Sequence, residues 1–189
     1  MYTLKEVKDT VLSLFDEYSV DGIVIGQSDN MDYSIRVPML VNMLQMEWCR
    51  LVKIPMHYTI THDKTEALYT MPSDFMEINK IVKKDYYGYK EYTWIDRKTL
   101  KLLETDDGEY EVYYYKYPIK LTSTTADDFI LDICDEASNI IPLKIASLLI
   151  KTEKAEVSKM LIDMYDDEKK MVMYRQTYEP QQIERVFSV

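Results

Sequence analysis

The sequence predicts an α+β fold, in which a bundle of about four helices carries a small antiparallel β-sheet or sandwich inserted between helices 2 and 3. Apolar residues recur at spacings of three and four towards both ends of the chain, whereas short alternating segments separated by turn residues fill the middle. The chain has 189 residues and 47% of them are hydrophobic, which suffices for a buried core. We therefore divide it into N-terminal core helices (1–55), an inserted β region (56–121), C-terminal core helices (122–175) and an extended tail (176–189).

The first helix is predicted over residues 3–18, where an apolar stripe follows helical spacing. Thr3 and Glu6 have the spacing of a capping box, which favours a helix start at this point. Glycine, serine, aspartate and asparagine then interrupt the pattern, so residues 19–31 are predicted to form a loop.

The second helix is predicted over residues 32–52, with Met39, Met43 and Trp48 on its core-facing side. Pro38 is not tolerated deep inside a helix without a kink, so the regular part is expected to begin near Arg36.

The middle of the chain predicts five or six short strands, because alternating segments recur about every ten residues. The sequence His62-Asp63-Lys64-Thr65 predicts a turn between the first two strands, and Asp106-Asp107-Gly108 predicts a hairpin turn before the last. The predicted strands lie within 58–61, 67–70, 76–83, 91–95, 99–102 and 109–115.

The third helix is predicted to start after Thr124 or Thr125, because Asp127 and Asp128 would then lie where the helix dipole favours negative charge. It is expected to continue to Lys151, with a kink or a break at Pro142. A last helix is predicted over 153–175, with Met160, Met164 and Met171 in its apolar stripe.

The charge balance argues against a surface that grips nucleic acid. The net charge is −10 and the pI is about 4.7, whereas phosphate binding needs clustered lysine and arginine. No apolar run approaches the length of a membrane span, and the charged N-terminus is not a signal peptide. The two cysteines, Cys49 and Cys134, indicate a reducing compartment and are expected to be buried thiols.

No pattern in the sequence indicates catalysis, a cofactor or a metal. His57 and His62 have no metal-binding spacing, and residues 106–109 lack the alternating oxygen ligands of a calcium loop. The four glycines form no phosphate-binding loop, and no serine or cysteine lies in a nucleophile motif. We predict that the protein is not an enzyme.

Tyrosines of the last predicted strand are the first candidate for a contact surface. Alternation along a strand directs one set inward and the other outward, and an outward row of tyrosines suits a protein interface. Ordinary sheet packing is the alternative. The candidate residues are Tyr110, Tyr113 and Tyr115.

The C-terminal tail is the second candidate. Pro180 ends the helical pattern, yet apolar residues return at the tip of the chain, where they would gain little by staying in water. We predict that they dock on a partner or on a neighbouring subunit; a frayed terminus is the alternative. The residues are Ile183, Val186, Phe187 and Val189.

The order of several short segments resembles the head–tail adaptor (connector) proteins of tailed bacteriophages. Markers of the resemblance include Ile141-Pro142-Leu143 and the sequence Gly108-Glu109-Tyr110 that opens the last strand. The matching segments are 32–42, 53–55, 71–75, 108–118 and 135–149.

This resemblance implies core helices with a β insertion, no catalysis and a homo-oligomeric ring of about twelve copies. Such a ring docks under the portal of a filled head and presents a platform for the tail or tail-completion proteins, with non-specific passage of double-stranded DNA through its lumen. The tail 176–189 becomes a candidate portal contact. The resemblance places the protein in the virion, after assembly in the cytoplasm of a bacterial host, without a membrane.

Three other classes of protein remain open from the residues. The chain is alternatively another virion component, such as a tail-completion or stopper protein. A host- or glycan-binding β module carried on helices is a further reading, which predicts exposed Trp94 and Tyr92 in a groove. An enzyme or a regulator is the remaining class, and the resemblance argues against it.

Overall fold

A computed structural model of the protein describes residues 2–14, 27–63, 68–84, 88–103 and 106–178. The chain divides into two compact units: a helical unit, residues 1–52 with 120–189, and a β unit, residues 53–119. The described residues form four helices and two three-stranded antiparallel sheets, and every strand lies between the second and third helices. The predicted α+β fold with an inserted β region is therefore confirmed.

Four helices build the helical unit: α1 (Leu4–Ser13), α2 (Gln27–Leu51), α3 (Asp135–Ile150) and α4 (Ala155–Tyr178). α3 packs most extensively against α4 and also contacts α1 and α2, so it occupies the centre of the bundle. Its buried residues lie all around the helix, as expected for a central helix. The core includes Leu4, Val7, Val11, Val41, Leu44, Trp48, Ile141, Ile145, Leu161, Tyr165 and Val172.

The start of α1 is held by two sets of hydrogen bonds. The predicted capping box is present: the Thr3 backbone amide donates to the Glu6 carboxylate at 2.7 Å, and the Glu6 amide donates to Thr3 Oγ1 at 3.2 Å. The next amides, of Leu4 and Lys5, donate to the carbonyls of Phe129 and Asp127, both at 2.9 Å. Residues more than a hundred positions apart in the sequence are thereby joined.

α2 begins earlier than the sequence analysis expected. It starts at Gln27 and not near Arg36, and Pro38 lies inside it. Pro38 removes one backbone hydrogen bond, but it lies on the buried side of the helix together with Val37 and Val41. Packing of this side against the core outweighs the missing bond, because tertiary contacts supply most of the stability of a helix.

α3 begins later than expected, at Asp135, so the helix caps predicted at Thr124 and Thr125 are wrong. Thr125 Oγ1 instead accepts from the amide of Thr122 at 2.8 Å and closes a local turn. Asp127 and Asp128 then form a second turn, and the chain that follows pairs with the region around Thr3 through an isolated bridge at Ile130. The acidic residues thought to mark the helix start serve this other contact: Asp127 forms an ion pair of 2.6 Å with Lys8.

Pro142 does not split α3, so of the kink or break expected there the break is absent. The helix runs without interruption from Asp135 to Ile150, and Pro142 is buried within it. Because the neighbouring turns are held in the core on all sides, one absent backbone bond is tolerated.

The β unit contains β1 (Ile54–His62), β2 (Leu68–Thr70), β3 (Phe75–Lys83), β4 (Tyr92–Trp94), β5 (Thr99–Leu102) and β6 (Gly108–Lys116). One sheet has the order β1-β6-β3 and the other has the order β2-β5-β4. All pairs are antiparallel, and the buried residues Ile60, Met71, Ile81, Leu100, Leu102, Tyr110 and Val112 form a separate core.

The connections differ from the hairpins that the turn signals suggested. β1 pairs with β6 and not with β2, although the two are consecutive in the sequence. Residues Asp106 to Gly108 lead into β6 from β5, which lies in the other sheet, so they do not form a hairpin turn. Gly108 is suited to this change of direction because its φ of 144° is rarely adopted by other residues.

Among the described residues, no helix is both long enough and apolar enough to cross a membrane.

Candidate contact surfaces

One face of the β1-β6-β3 sheet carries two of the predicted contact tyrosines. Along β6, Val112 and Tyr114 are buried, whereas Tyr113 and Tyr115 lie on the opposite face and are half-buried. We call this side, represented by Tyr113 and Tyr115, the tyrosine face. The residues of β1 and β3 that pair with Tyr113 and Tyr115 line the same face, and His57 of β1 is the partner of Tyr113.

Charged groups hold both tyrosine rings in place. The Tyr113 ring stacks on His57 with 5.7 Å between ring centroids, and Lys80 Nζ lies 4.9 Å from the ring centroid. The Tyr113 hydroxyl donates to Glu111 at 2.5 Å, and this bond raises the pKa of Tyr113. Lys53 Nζ lies 4.8 Å from the centroid of Tyr115. These cation–π contacts fix an apolar, partly exposed surface at the sheet.

Tyr110 does not belong to the tyrosine face. It is fully buried in the core of the β unit, and its hydroxyl donates to the carbonyl of Asp106 at 2.7 Å. The alternation of a strand explains this placement, because Tyr110 is an odd number of residues away from Tyr113 and Tyr115.

An open cleft of about 790 Å³ lies in the β unit beside β3 and β4. Its aromatic wall consists of Phe75, Tyr92 and Trp94: the Phe75 and Trp94 centroids are 5.5 Å apart, and those of Tyr92 and Trp94 are 6.0 Å apart. Trp94 is 41% exposed. Asp96 and Arg97 supply charge at the cleft.

The Asp96 carboxylate is fixed by backbone donors. The amides of Lys98 and Thr99 both donate to it at 2.8 Å, and these bonds lower the pKa of Asp96, the bond from Lys98 most strongly. The cleft therefore offers an aromatic wall beside an ionised carboxylate and a guanidinium, an arrangement that binds polar ligands with apolar faces.

The helical unit exposes two apolar stripes. The first, the α2 stripe, consists of Ile35, Met39 and Met43, which are all exposed. The second, the α4 stripe, likewise consists of exposed residues: Met160, Met164, Met171 and Tyr174. Single exposed apolar residues are ordinary, but rows of them along a helix mark contact surfaces. The α4 row is interrupted by the exposed Asp167, which lies on the same side between Met164 and Met171.

The sequence analysis assigned these methionines to the core, and the structure places them outside it. α2 has two apolar faces: Val37, Val41, Leu44 and Trp48 are buried, while the α2 stripe lies on the other side. The signal was present in the sequence, since a helix that is apolar on more than one side has more than one surface to cover.

Trp48, which the sequence analysis placed on the core-facing side of the second helix, is fully buried. Its Nε1 donates to the Tyr165 hydroxyl at 3.2 Å, which in turn donates to Glu47 at 3.5 Å. Lys169 forms an ion pair with Glu47. Trp48 therefore joins α2 to α4 within one chain.

The remaining polar groups show no catalytic arrangement in the part of the chain described above. No group of three or more His, Cys, Asp or Glu residues there could hold a metal ion. Burial raises the pKa of both thiols, Cys49 and Cys134, which keeps them protonated. Cys49 is buried as expected, whereas Cys134 is only half-buried. His62 is buried, with Nδ1 2.8 Å from the Tyr69 hydroxyl.

The four apolar residues of the tail, Ile183, Val186, Phe187 and Val189, lie outside the described residues. Their contact role stays a prediction.

Comparison with known proteins identifies the family. No curated protein matches the chain significantly. The family model described as SU10 adaptor protein matches residues 2–181, which include both units almost completely. The chain therefore belongs to the SU10 adaptor protein family, a family of phage head–tail adaptors.

Proposed function

We propose that the protein is the head–tail adaptor of its phage and that about twelve copies form a ring joining the portal vertex of the head to the tail. The observation that carries this proposal is the family match over residues 2–181, because it extends through the helical unit and the β unit alike. A structural adaptor works by contact, and the described residues offer apolar contact surfaces in both units.

The net charge suits a ring through which DNA passes. With −10 per chain, a ring of about twelve copies carries on the order of −100 charges. Acidic residues at the lumen repel the DNA phosphates, so that DNA slides through without being held. A lumen lined by lysine and arginine in a ring structure would contradict this part of the proposal.

Two surfaces take the partner contacts in this scheme. The tail, with Ile183, Val186, Phe187 and Val189, binds the portal or the neighbouring copy. The tyrosine face, with Tyr113 and Tyr115, binds a neighbouring copy or a tail-completion protein. The assembled protein resides in the virion, at the connector, after assembly in the cytoplasm of the bacterial host.

Electron microscopy of assembled particles tests the proposal. The tagged full-length chain is purified from infected cells together with its partners and imaged in negative stain. A ring stacked directly on the portal supports the adaptor role. A ring bound only to the far side of another connector protein identifies a stopper or tail-completion protein, and a monomer that does not bind added portal contradicts the ring.

The cleft of the β unit supports a second candidate function, glycan binding. A glycan-binding module requires exposed aromatic rings in a groove, and Trp94 and Tyr92 line such a cleft beside Asp96. Sugar rings stack on aromatic faces while their hydroxyls bind carboxylates. Binding of host surface polysaccharide to the full-length chain, abolished by Trp94→Ala, would support this function, and equal binding by both proteins would exclude the cleft.

A further inference from the structure

The two apolar stripes of the helical unit each form a narrow row along one side of a helix. At 100° and about 1.5 Å per residue, Ile35, Met39 and Met43 lie within about 80° around α2. The half-buried Met46 continues the same side and extends the apolar surface to about 16 Å, and the exposed Arg50 follows it one turn later. The α4 stripe, from Met160 to Tyr174, is about 21 Å long and lies within about 80° around its helix.

The exposed charges beside the two stripes differ in sign, and the half-buried Glu47 at the edge of the α2 stripe is already paired with Lys169 of the same chain. The exposed charged residues between 35 and 51 on α2 are Arg36 and Arg50, which are both basic. On α4, five of the exposed charged residues between 156 and 175 are acidic and three are basic. Lys170 and Asp167 pair with each other at 2.8 Å, which leaves four acidic and two basic residues in this set.

Each chain presents both stripes at once. Within one chain, α2 and α4 are joined through Trp48 and Tyr165 and through the ion pair between Glu47 and Lys169. Trp48, Tyr165 and Lys169 lie on other sides of their helices than the stripes do, whereas Glu47 lies about 40° beyond the edge of the α2 stripe. A chain can therefore contact one neighbour through α2 and another through α4.

We propose that the α2 stripe of one copy packs on the α4 stripe of the next copy, and that this heterologous contact is the repeating contact of the ring. Packing α2 on α2 would oppose arginines to arginines, and packing α4 on α4 would oppose acidic surfaces, whereas α2 on α4 brings opposite charges together. Contacts of this head-to-tail kind close into rings when the rotation between copies is fixed. The inference rests on the proposed ring function.

Charge substitutions on the stripes test the pairing by their sign. Ring assembly of the full-length chain on purified portal is measured by sedimentation. We expect Met39→Glu, which faces the acidic α4 of the neighbour, to assemble at least about tenfold more weakly than Met39→Lys. On α4 the order is reversed, and Met164→Lys assembles more weakly than Met164→Glu. Glutamate and lysine are both good helix formers, and circular dichroism checks that the monomer of each of the four variants is folded.

The double variant Met39→Glu with Met164→Lys provides the decisive comparison. At an α2–α4 contact the glutamate of one copy faces the lysine of the next, so assembly recovers relative to either single variant. An α2–α2 contact predicts the opposite order at Met39, with Glu better tolerated than Lys. Assembly unaffected by all these substitutions overturns the inference.

Cross-linking distinguishes failure of the pairing from failure of the ring. Chains with Met39→Cys are mixed with chains carrying Cys at position 160, 164 or 171, and a short thiol-reactive cross-linker is added to assembled rings. We expect mixed dimers from the two kinds of chain and none from a control pair of Met39→Cys with Asp166→Cys, since Asp166 lies off the stripe. Rings that give only same-site dimers, or none, overturn the pairing while the ring remains; absence of rings for the unmodified chain overturns both.

Discussion

At the scale of residues, the side chain that joins α2 to α4 is Trp48, which is completely buried and has a partner for its N–H. Its hydrogen bond to Tyr165 continues to Glu47, which is also paired with Lys169. Burial, reinforced by the negative charge of Glu47, raises the pKa of Tyr165. The hydroxyl therefore stays protonated and bridges the two helices.

Replacing Tyr165 by phenylalanine tests this chain of hydrogen bonds. The variant keeps the ring but leaves the buried Trp48 N–H without an acceptor, so we expect the helical unit to lose about 1–3 kcal/mol. Urea unfolding followed by the fluorescence of Trp48, in a Trp94→Phe background, measures the loss. The control is Tyr89→Phe at a side chain that is 79% exposed, which should change stability by less than about 0.5 kcal/mol. Equal stability of the two variants would show that the bond is unimportant.

The raised pKa of Tyr58 predicts how the stability of the β unit changes at alkaline pH. Burial, with a smaller contribution from Tyr114, raises the pKa of Tyr58 to about 12. The unfolded tyrosine loses its proton near pH 10, so between about pH 10 and 12 the unfolded state binds fewer protons than the folded state. The stability that Tyr58 contributes is therefore complete below pH 10 and is lost as the pH rises towards 12.

The measurement compares urea unfolding of the β unit at pH 8 and pH 11, followed by Trp94 fluorescence. We expect Tyr58→Phe to lose less stability over this range than the unmodified chain does. The difference between the two losses should stay below about 1.4 kcal/mol per pH unit. Tyr89→Phe removes an exposed tyrosine and serves as the matched control. An identical alkaline loss in all three proteins would rule out this role of Tyr58.

At the scale of elements, α1 depends on residues that lie far away in the sequence. Its first turn is satisfied by the capping box of Thr3 and Glu6 and by the carbonyls of Asp127 and Phe129. A short helix is marginal by itself, so these bonds and the packing of Leu4, Val7 and Val11 hold it together.

Thr3→Ala removes the side chain that closes the capping box, and we expect the helical unit to lose about 1 kcal/mol. The Glu6 carboxylate accepts hydrogen bonds from the Thr3 backbone amide and from the Thr3 hydroxyl. These bonds lower the pKa of Glu6, the backbone bond most strongly. The stabilisation is therefore present above the ordinary pKa of glutamate and is lost as the pH falls. Thermal unfolding at pH 7 and pH 3 measures both effects, with Lys5→Ala as an exposed control on the same helix. A cost for Thr3→Ala that is the same at both pH values would contradict a contribution of the Thr3 hydroxyl to holding the ionised carboxylate.

The strands could be predicted from the sequence more accurately than the helix ends. Alternation and turn residues are local signals, and they located all six strands of the β unit. The start of α3 was misplaced, because Asp127 and Asp128 have the composition of a first helical turn, yet residues 127–131 pair with α1 instead. That pairing joins residues more than a hundred positions apart, and no local pattern records it.

The contact surfaces could be predicted only in part, for a similar reason. Alternation separates Tyr113 from its neighbours along β6, but the pattern does not state which face is buried, so Tyr110 was grouped with the wrong side. Likewise Met39 and Met160 have helical spacing, and spacing alone does not distinguish a core stripe from a second, exposed one.

At the scale of the whole molecule, the proposed portal contact of the tail predicts that portal binding can be lost without a loss of folding stability. We expect a chain without residues 179–189 to keep the stability of the helical unit, since the proposed binding partner lies outside that unit's core. The same chain should fail to bind portal. Stability is measured by thermal unfolding, and binding is measured by co-sedimentation with purified portal.

The matched control retains the length of the tail and replaces only Ile183, Val186, Phe187 and Val189 by serine. Loss of portal binding in both variants assigns the contact to the apolar side chains. Normal binding by both variants would remove the tail from the proposed function.

The insertion of the β unit within the helical unit has a consequence for synthesis on the ribosome. Residues 53–119 are contiguous and can fold as soon as they emerge, whereas α1 and α2 lack α3, α4 and the segment 127–131 until much later. At ordinary rates of translation, the roughly 80 residues that separate the end of α2 from that segment take about 4–16 s to make. The helical unit therefore folds after the β unit, although its α1 and α2 are made first. During that interval, α1 and α2 expose their apolar sides to chaperones.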